Sequence, residues 1–369
     1  MRVLHVISDE NIGGAGVLLV NLLRHFDKAR VDSVVALPRG SRLCERLWGK
    51  GAEICELKHP CDRVSPAAVR ELSRLIREKG IDLVHANAAL AARIAGRCCG
   101  VRVVHTRHCC YPPSGVWASP AMRVLGGVCN RSLSDRVIAT ADAAAEDLAA
   151  LGIPEGKIEV ILNGSDAVRE VSEDELRIWR ERWRIGEADF VVGICARLET
   201  CKGHETFLRM AESLCRRGGS FRFLIVGDGS RRAALEDMAR RLDISDRVTF
   251  TGFVSDMAPV YRLLRVNVNC SQGTETSCLS LSEGMSAGVP AVVSDYGGNA
   301  AMIGRSCAGI VVPVGDSEAF ADAVWRIAKN PALEGEMCAA AHARYLSHYT
   351  ADAMSARVTA LYEGLVQQK

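Results

Sequence analysis

The sequence predicts an α/β fold built from two doubly wound, parallel-sheet domains in tandem. Three observations carry this. Short apolar runs with strand character alternate with helix-period segments along most of the chain. The 369 residues exceed what one ordinary core holds. The alternation also runs in two series, broken at Asn163-Gly164-Ser165-Asp166, where a turn signal meets a charged helix.

The first series opens on the strand Arg2–Ile7, the glycine turn Gly13-Gly14-Ala15-Gly16 and an apolar helix to His25. Strands are expected near Ser33–Leu37, Glu53–Leu57, Asp82–His85, Arg102–Thr106, Arg136–Ala139 and Ile158–Ile161. Helices are expected near Pro66–Lys79, Ala88–Cys98 and Ala141–Leu151, and Cys109–Ser119, with two prolines and a glycine, reads as an irregular loop. The second series has strands near Phe190–Cys195, Phe221–Val226, Val248–Thr251, Val266–Cys270, Ala291–Ser294 and Gly309–Val312. It ends in helices near Glu318–Lys329, Glu334–Ser347 and Asp352–Gln367. The expected domains are 1–165 and 166–351.

Composition narrows the class. No apolar run reaches the length of a membrane span, and Met1 runs straight into a strand, so no secretory leader is expected. Residues 1–165 hold 22 Lys and Arg against 17 Asp and Glu, a net of +5. That mild excess fits an anionic acceptor or membrane surface, or an ordinary uneven surface. No dense basic cluster points to nucleic acid. The fifteen cysteines include no Cys-x-x-Cys pair and read as reduced, mostly buried small hydrophobes of a cytoplasmic protein.

Several groups carry candidate chemistry. Glu275 and Glu283 are separated by seven residues, with a helix expected from Leu279 to Ala287. Thr276 or Ser277 is the expected N-cap, and Gly288 and Pro290 end the helix. Glu275 then lies in the loop at the helix N-terminus and Glu283 two turns inside. Amides at such an N-terminus attract phosphate, and a carboxylate farther along accepts hydrogen bonds from sugar hydroxyls. Arg197 and Lys202 follow the strand Phe190–Cys195, where two cations can stabilise charge growing on a departing diphosphate. Gly227 sits in a turn with a helix cap expected at Asp228 or Ser230, and Gly252-Phe253 follows the next strand. Gly13, Gly14 and Gly16 allow a tight turn and close approach to a ligand. The third glycine of a dinucleotide fingerprint is absent after Gly14-Ala15-Gly16. His85 and His108 end strands of the first domain, and His105 is expected to pack. No Asp-x-Asp triplet offers a divalent-metal site, and no metal ligand set is expected.

The pair of glutamates resembles the E-X7-E motif of retaining glycosyltransferases of family 4 (GT4), which have the GT-B fold of two Rossmann-like domains about a central cleft. The resemblance extends in order through the first glycine turn, Thr106-Arg107-His108, Asn163-Gly164-Ser165-Asp166, Arg197-(x4)-Lys202-Gly203 and Gly227-Asp228-Gly229. Where many members carry a glutamate three residues after the second glycine of Gly297-Gly298, this chain has Ala301.

The resemblance implies a nucleotide-sugar donor, UDP- or GDP-linked, held by the second domain with no separate cofactor. Arg197 and Lys202 hold the diphosphate, and Glu283 takes the ribose. Glu275 meets the sugar, Ser277 and Leu279 belong to the donor site, and Gly227, Gly252 and Phe253 border the nucleotide. In the first domain, Gly13, Gly14 and Gly16 and His108 serve the glycan or lipid-linked acceptor and the transferred sugar. Catalytic roles fall to Glu275, His108, Arg197 and Lys202. The terminal helix, about 352–369, returns to the first domain, and a hinge near Asn163–Asp166 closes the cleft. Synthesis of bacterial cell-envelope polysaccharide, lipopolysaccharide or glycolipid is implied, in the cytoplasm or peripherally at the inner membrane face, which Trp48 and Trp117 could touch. An epimerase acting on nucleotide sugars, or a binding partner without turnover, would use the same donor residues.

Overall fold

The computed structural model describes residues 1–8, 13–59, 61, 65–108, 127–128, 130–273 and 275–367. The chain forms two compact units: residues 1–165 with 350–369, and residues 166–349.

Unit 1 contains strands β1 (Arg2–Ile7), β2 (Asp32–Pro38), β3 (Ala52–Leu57), β4 (Leu83–Asn87), β5 (Arg102–Arg107), β6 (Arg136–Ala139) and β7 (Ile158–Val160). Its helices are α1 (Gly14–His25), α2 (Leu43–Leu47), α3 (Pro66–Glu78), α4 (Leu90–Cys98) and α5 (Asp142–Ala150). The strands pair in parallel in the order β3-β2-β1-β4-β5-β6-β7. The order reverses between β1 and β4. At such a switch point the loops leave in opposite directions and open a crevice at the strands' carboxyl ends. Leu4, Val6, Val34, Val84 and Val103 form one core layer with Leu72 and Ile76 of α3.

Unit 2 contains β8 (Phe190–Cys195), β9 (Phe221–Val226), β10 (Val248–Gly252), β11 (Val266–Asn269), β12 (Ala291–Ser294) and β13 (Gly309–Val312). Its helices are α6 (Glu173–Arg182), α7 (His204–Arg217), α8 (Arg232–Arg241), α9 (Ala258–Leu263), α10 (Leu279–Ser286), α11 (Asn299–Ile303), α12 (Ser317–Ala328) and α13 (Pro331–His348). The parallel order is β10-β9-β8-β11-β12-β13, with its switch point between β8 and β11. Successive residues of a strand point to opposite faces. Val192 and Ile194 therefore join Phe207, Phe223 and Phe320 on one side, while Val191 and Leu224 join Trp183, Tyr261 and Leu264 on the other. Both faces are covered, as parallel sheets require.

The last helix, α14 (Ala351–Val366), belongs to unit 1. Thr350 caps it and bridges Ser165. Tyr362 packs among the rings of His5, Phe26 and His85, and its hydroxyl bonds to His85 Nδ1.

Four expectations need correction. His85 does not end its strand. β4 runs on to Asn87, and His85 is buried, its Nε2 2.6 Å from Thr106 Oγ1. Gly14 and Gly16 form the first turn of α1 rather than a separate tight turn, and neither has positive φ. The space before a Cβ at Gly14 is open, while Gly16 lets Leu43 pack against the helix. The cysteines are not mostly buried: among the described ones, Cys61 and Cys270 are buried and the other ten are partly or fully exposed. Finally, α2 went unforeseen because five residues are too few to establish a helical period. Cys109, Cys110, Trp117 and the expected loop Cys109–Ser119 lie outside the described residues. Among the described residues, no helix is long and apolar enough to cross a membrane.

Candidate active site

The switch point of unit 2 assembles the strongest constellation. The loop after β8 turns through Thr200–Lys202 into α7, and the loop after β11 carries Ser271–Cys278 into α10. Gln272 joins the two loops: its amide donates to Cys201 O at 2.9 Å and its Nε2 to Thr200 O at 3.0 Å. Gly203 has φ +69°, and a Cβ there would lie 2.1 Å from Cys270 O. Only glycine permits that left-handed turn and that approach, so the loop after Lys202 is set by backbone sterics.

Lys202 and Glu275, predicted separately from two motifs, meet there. Lys202 Nζ donates to Glu275 Oε2 at 2.7 Å, with side-chain exposures of 17% and 7%. Ser271 Oγ donates to the same oxygen at 2.9 Å. Burial alone would lower the Lys202 ammonium, but the Glu275 carboxylate and its hydrogen bond outweigh that and raise it. The ammonium is therefore charged at neutral pH and sits in a partly dry site at the carboxyl ends of two central strands. Such a group can neutralise an incoming phosphate and accept from a sugar hydroxyl.

The support for Glu275 was not foreseen. Ser271 N donates to Asn269 Oδ1, Ser294 Oγ donates to Ser271 O, and Asn299 Nδ2 reaches both Ser294 Oγ and Asn269 Oδ1. All four side chains are buried. Their one sequence signal is polar residues recurring in a strand that reads as buried, Asn267 and Asn269. Gly297, with φ +57°, lets its loop pass over Glu275 O, which a Cβ would meet at 2.0 Å.

Glu283 projects from α10. Tyr261 Oη donates to its Oε2 at 2.8 Å. Burial pushes this carboxyl above the usual carboxylate range, and the Tyr261 hydrogen bond pulls it partly back. Tyr261 is a second unforeseen partner, brought from α9.

The helix between the glutamates departs from expectation in two ways. Its N-cap is Cys278, without a side-chain cap, and not Thr276 or Ser277. The helix itself starts at Leu279, as expected, and Cys278 N turns to Met302 Sδ at 3.2 Å. Glu283 is then the fifth helical residue, a little over one turn inside rather than two. The cap expected at Asp228 or Ser230 is also absent. Arg231 caps α8, Asp228 Oδ1 accepts from Gly229 N, and Ser230 Oγ bonds to Glu199.

Arg197 is exposed, and its side chain forms no hydrogen bond or ion pair among the described residues. It is not drawn into the Lys202–Glu275 pair. Gly227 and Gly252 are joined backbone to backbone, Gly227 N to Gly252 O at 3.0 Å, and Phe253 beside them is 63% exposed. Ser277 and Leu279, partly buried, flank the start of α10. Among the described residues, no three His, Cys, Asp or Glu side chains gather as a metal site would require.

In unit 1, Gly13 caps α1, and His108 lies one residue beyond β5. Its Nε2 is 2.9 Å from Asn87 Oδ1. Burial lowers His108 to about 4, which keeps the ring neutral at pH 7.

With this geometry in place, the similarities to known proteins can be stated. A family model described as Glycosyltransferase Family 4 matches residues 12–169, and one described as Glycosyl transferases group 1 matches residues 189–330. EpsD of Bacillus subtilis (strain 168) is 28% identical over 292 residues, 75% of each chain. A GDP-mannose-dependent alpha-mannosyltransferase of Mycobacterium tuberculosis (strain CDC 1551 / Oshkosh) is 30% identical over 188 residues, 50% of this chain and 46% of that one. The crystal structure of Anabaena Alr3699/HepE in complex with UDP-glucose superposes with a TM-score of 0.86 at 19% identity, covering 99% of this chain and 100% of that one. At that identity the last likeness is one of fold, and the fold is GT-B.

Proposed function

Because this chain belongs to glycosyltransferase family 4, we propose that it transfers a sugar from a nucleoside diphosphate sugar to an acceptor hydroxyl with retention at the anomeric carbon. The observation that carries this reading is the Lys202–Glu275 pair at the switch point of unit 2. The donor binds unit 2. Its diphosphate takes Lys202 and Arg197, its ribose hydroxyls donate to Glu283, and its sugar hydroxyls meet Glu275. Ser277 and Leu279 present the start of α10 to the phosphates, and Gly227, Gly252 and Phe253 border the base. Unit 1 receives the acceptor near Gly13, Gly14 and Gly16, and His108 offers a neutral imidazole to the transferred sugar.

In the proposed step the acceptor oxygen bonds to the anomeric carbon as the bond to the diphosphate breaks. The electron pair leaves on the diphosphate, which takes the acceptor proton on the same face. Lys202 and Arg197 stabilise the growing charge, an effect of about 3–4 kcal/mol for a well-placed donor in a dry site. Of the two donor classes named among the similar proteins, UDP-glucose and GDP-mannose, both are to be offered.

A glycan or lipid-linked acceptor of the bacterial cell envelope fits this reading, at the cytoplasmic face of the membrane. Trp48 is 80% exposed, and Arg39, Arg42, Arg46 and Lys50, near it in the sequence, enter no ion pair among the described residues. An exposed tryptophan in a cation-rich segment suits an anionic headgroup layer.

The test is transfer from UDP- and GDP-sugars to an acceptor panel, followed by NMR of the product's anomeric centre. Retention, with transfer lost in Lys202→Ala and Glu283→Ala, is the expected result. Inverted product, or unchanged turnover in either variant, would overturn the reading.

A further inference from the structure

We propose that Asn87 is a positioning residue for His108: its side-chain oxygen fixes the imidazole in one orientation and in the Nε2–H tautomer. The inference rests on the reading of His108 as a residue that meets the transferred sugar.

Asn87 is the last residue of β4, paired with Ile7 of β1 and Thr106 of β5. It thus stands at the switch point of unit 1, held on both sides by a parallel ladder, and its side chain is buried. Its Oδ1 lies 2.9 Å from His108 Nε2. A carboxamide oxygen carries no proton, so the imidazole must donate. The ring is neutral and has one proton to place. That proton is on Nε2, and Nδ1 carries the lone pair. A partner on one ring nitrogen commonly decides what the other can do.

The far end of the amide explains why asparagine suits the position. Asn87 Nδ2 is buried and has no protein partner among the described residues. Asn87 also lines a small cavity with His85, Thr106, Thr140 and Asn163, of about 20 Å³. Its lining is mixed, with Leu18, Leu22, Ile161 and Val358 among the apolar members, and it has room for one water to satisfy Nδ2 while Oδ1 stays on His108. Leucine has the volume but removes this acceptor from Nε2, and with it the preference for the Nε2–H tautomer.

The test pairs spectroscopy with kinetics. In ¹⁵N-histidine-labelled protein at neutral pH, His108 is expected to show a protonated Nε2 and an unprotonated Nδ1. Asn87→Leu should average the two signals, and Asn87→Asp, which keeps an acceptor oxygen, should retain the Nε2–H pattern. Transfer by Asn87→Leu should fall about tenfold or more in kcat, the scale of a misplaced proton-bearing group, with donor KM within about twofold. The double variant with His108→Ala should be no slower than His108→Ala alone. If Asn87→Leu does not fold, Asn87→Ser, whose hydroxyl falls short of the ring, takes its place. An unchanged His108 tautomer pattern, or an equal slowing of wild type and His108→Ala, would overturn the proposal. Wild-type transfer by His108→Ala would overturn the reading of His108 itself, and the spectra would still show whether Asn87 holds the ring.

Discussion

Replacing Lys202 by methionine removes the ammonium and keeps most of the unbranched side chain. Glu275, 7% exposed beside Lys202, then keeps one donor among the described residues, Ser271 Oγ. Breaking one side of a buried ion pair costs about 3–5 kcal/mol because the other charge is stranded. The Ser271 hydrogen bond and the 17% exposure of Lys202 bring this case below that range, to about 2–3 kcal/mol. For a unit of this size each kcal/mol moves the midpoint by about 2–4 °C, so unit 2 should melt about 4–12 °C lower. Removing both charges, in Lys202→Met with Glu275→Gln, should recover most of the loss, since a pair deleted whole is often neutral. Differential scanning calorimetry on the four members of the cycle measures the coupling. The pair raises Lys202, so its contribution is complete at neutral pH and is lost as pH climbs through the raised lysine value. A loss below about 0.5 kcal/mol in Lys202→Met, the range of an ordinary surface substitution, or an additive cycle, would refute the argument that these groups depend on each other.

Three further outcomes follow from the same structure. Burial raises Glu283, so keeping it ionised destabilises the fold above its folded value, and the deficit fades as pH falls through the usual carboxylate range. Glu283→Gln should therefore raise the melting midpoint at pH 7 and weaken nucleotide binding by about 10–100-fold, the scale of a hydrogen bond to a charged acceptor; equal midpoints at pH 7 would contradict it. Gly203→Ala must relieve a left-handed φ and a 2.1 Å approach to Cys270 O, so a loss of about 2 kcal/mol or more with donor binding is expected, read by urea unfolding and titration. His5 is buried with both ring nitrogens unpartnered among the described residues, and burial lowers it to about 3 from 6.5. Unit 1 should lose stability as pH falls below 6.5, by about 1.4 kcal/mol per pH unit from this residue until pH nears the folded value. His5→Phe should flatten that slope by one proton.

The sequence revealed the strands well because parallel strands buried on both faces are short apolar runs with sharp ends. Arg2–Ile7, Phe190–Cys195 and Ala291–Ser294 were legible to the residue. Local chemistry at helix ends was less legible. Thr276 and Ser277 are good caps in isolation, but the cap position falls to Cys278, whose N–H turns to Met302 Sδ of the next helix. The site divides along the same line. Lys202, Glu275 and Glu283 belong to spaced motifs and could be named from sequence. Asn299, Tyr261 and Asn87 act through contacts between different elements, which no local spacing marks, and Ser271, only four residues before Glu275, depends on how their shared loop folds. The meeting of Lys202 with Glu275 is a consequence of strand order, because β8 and β11 are neighbours only at the switch point.

The central claim is that this switch point binds a nucleoside diphosphate sugar through Lys202 and its neighbours. Calorimetric titration of UDP-, GDP-, ADP- and CMP-sugars into wild type and the charge-neutral double variant tests it most directly. The account predicts binding by one nucleotide family, weakened about tenfold or more in a double variant that melts near wild type. Binding of equal strength in both proteins, or none by any nucleotide in the folded wild type, would contradict it.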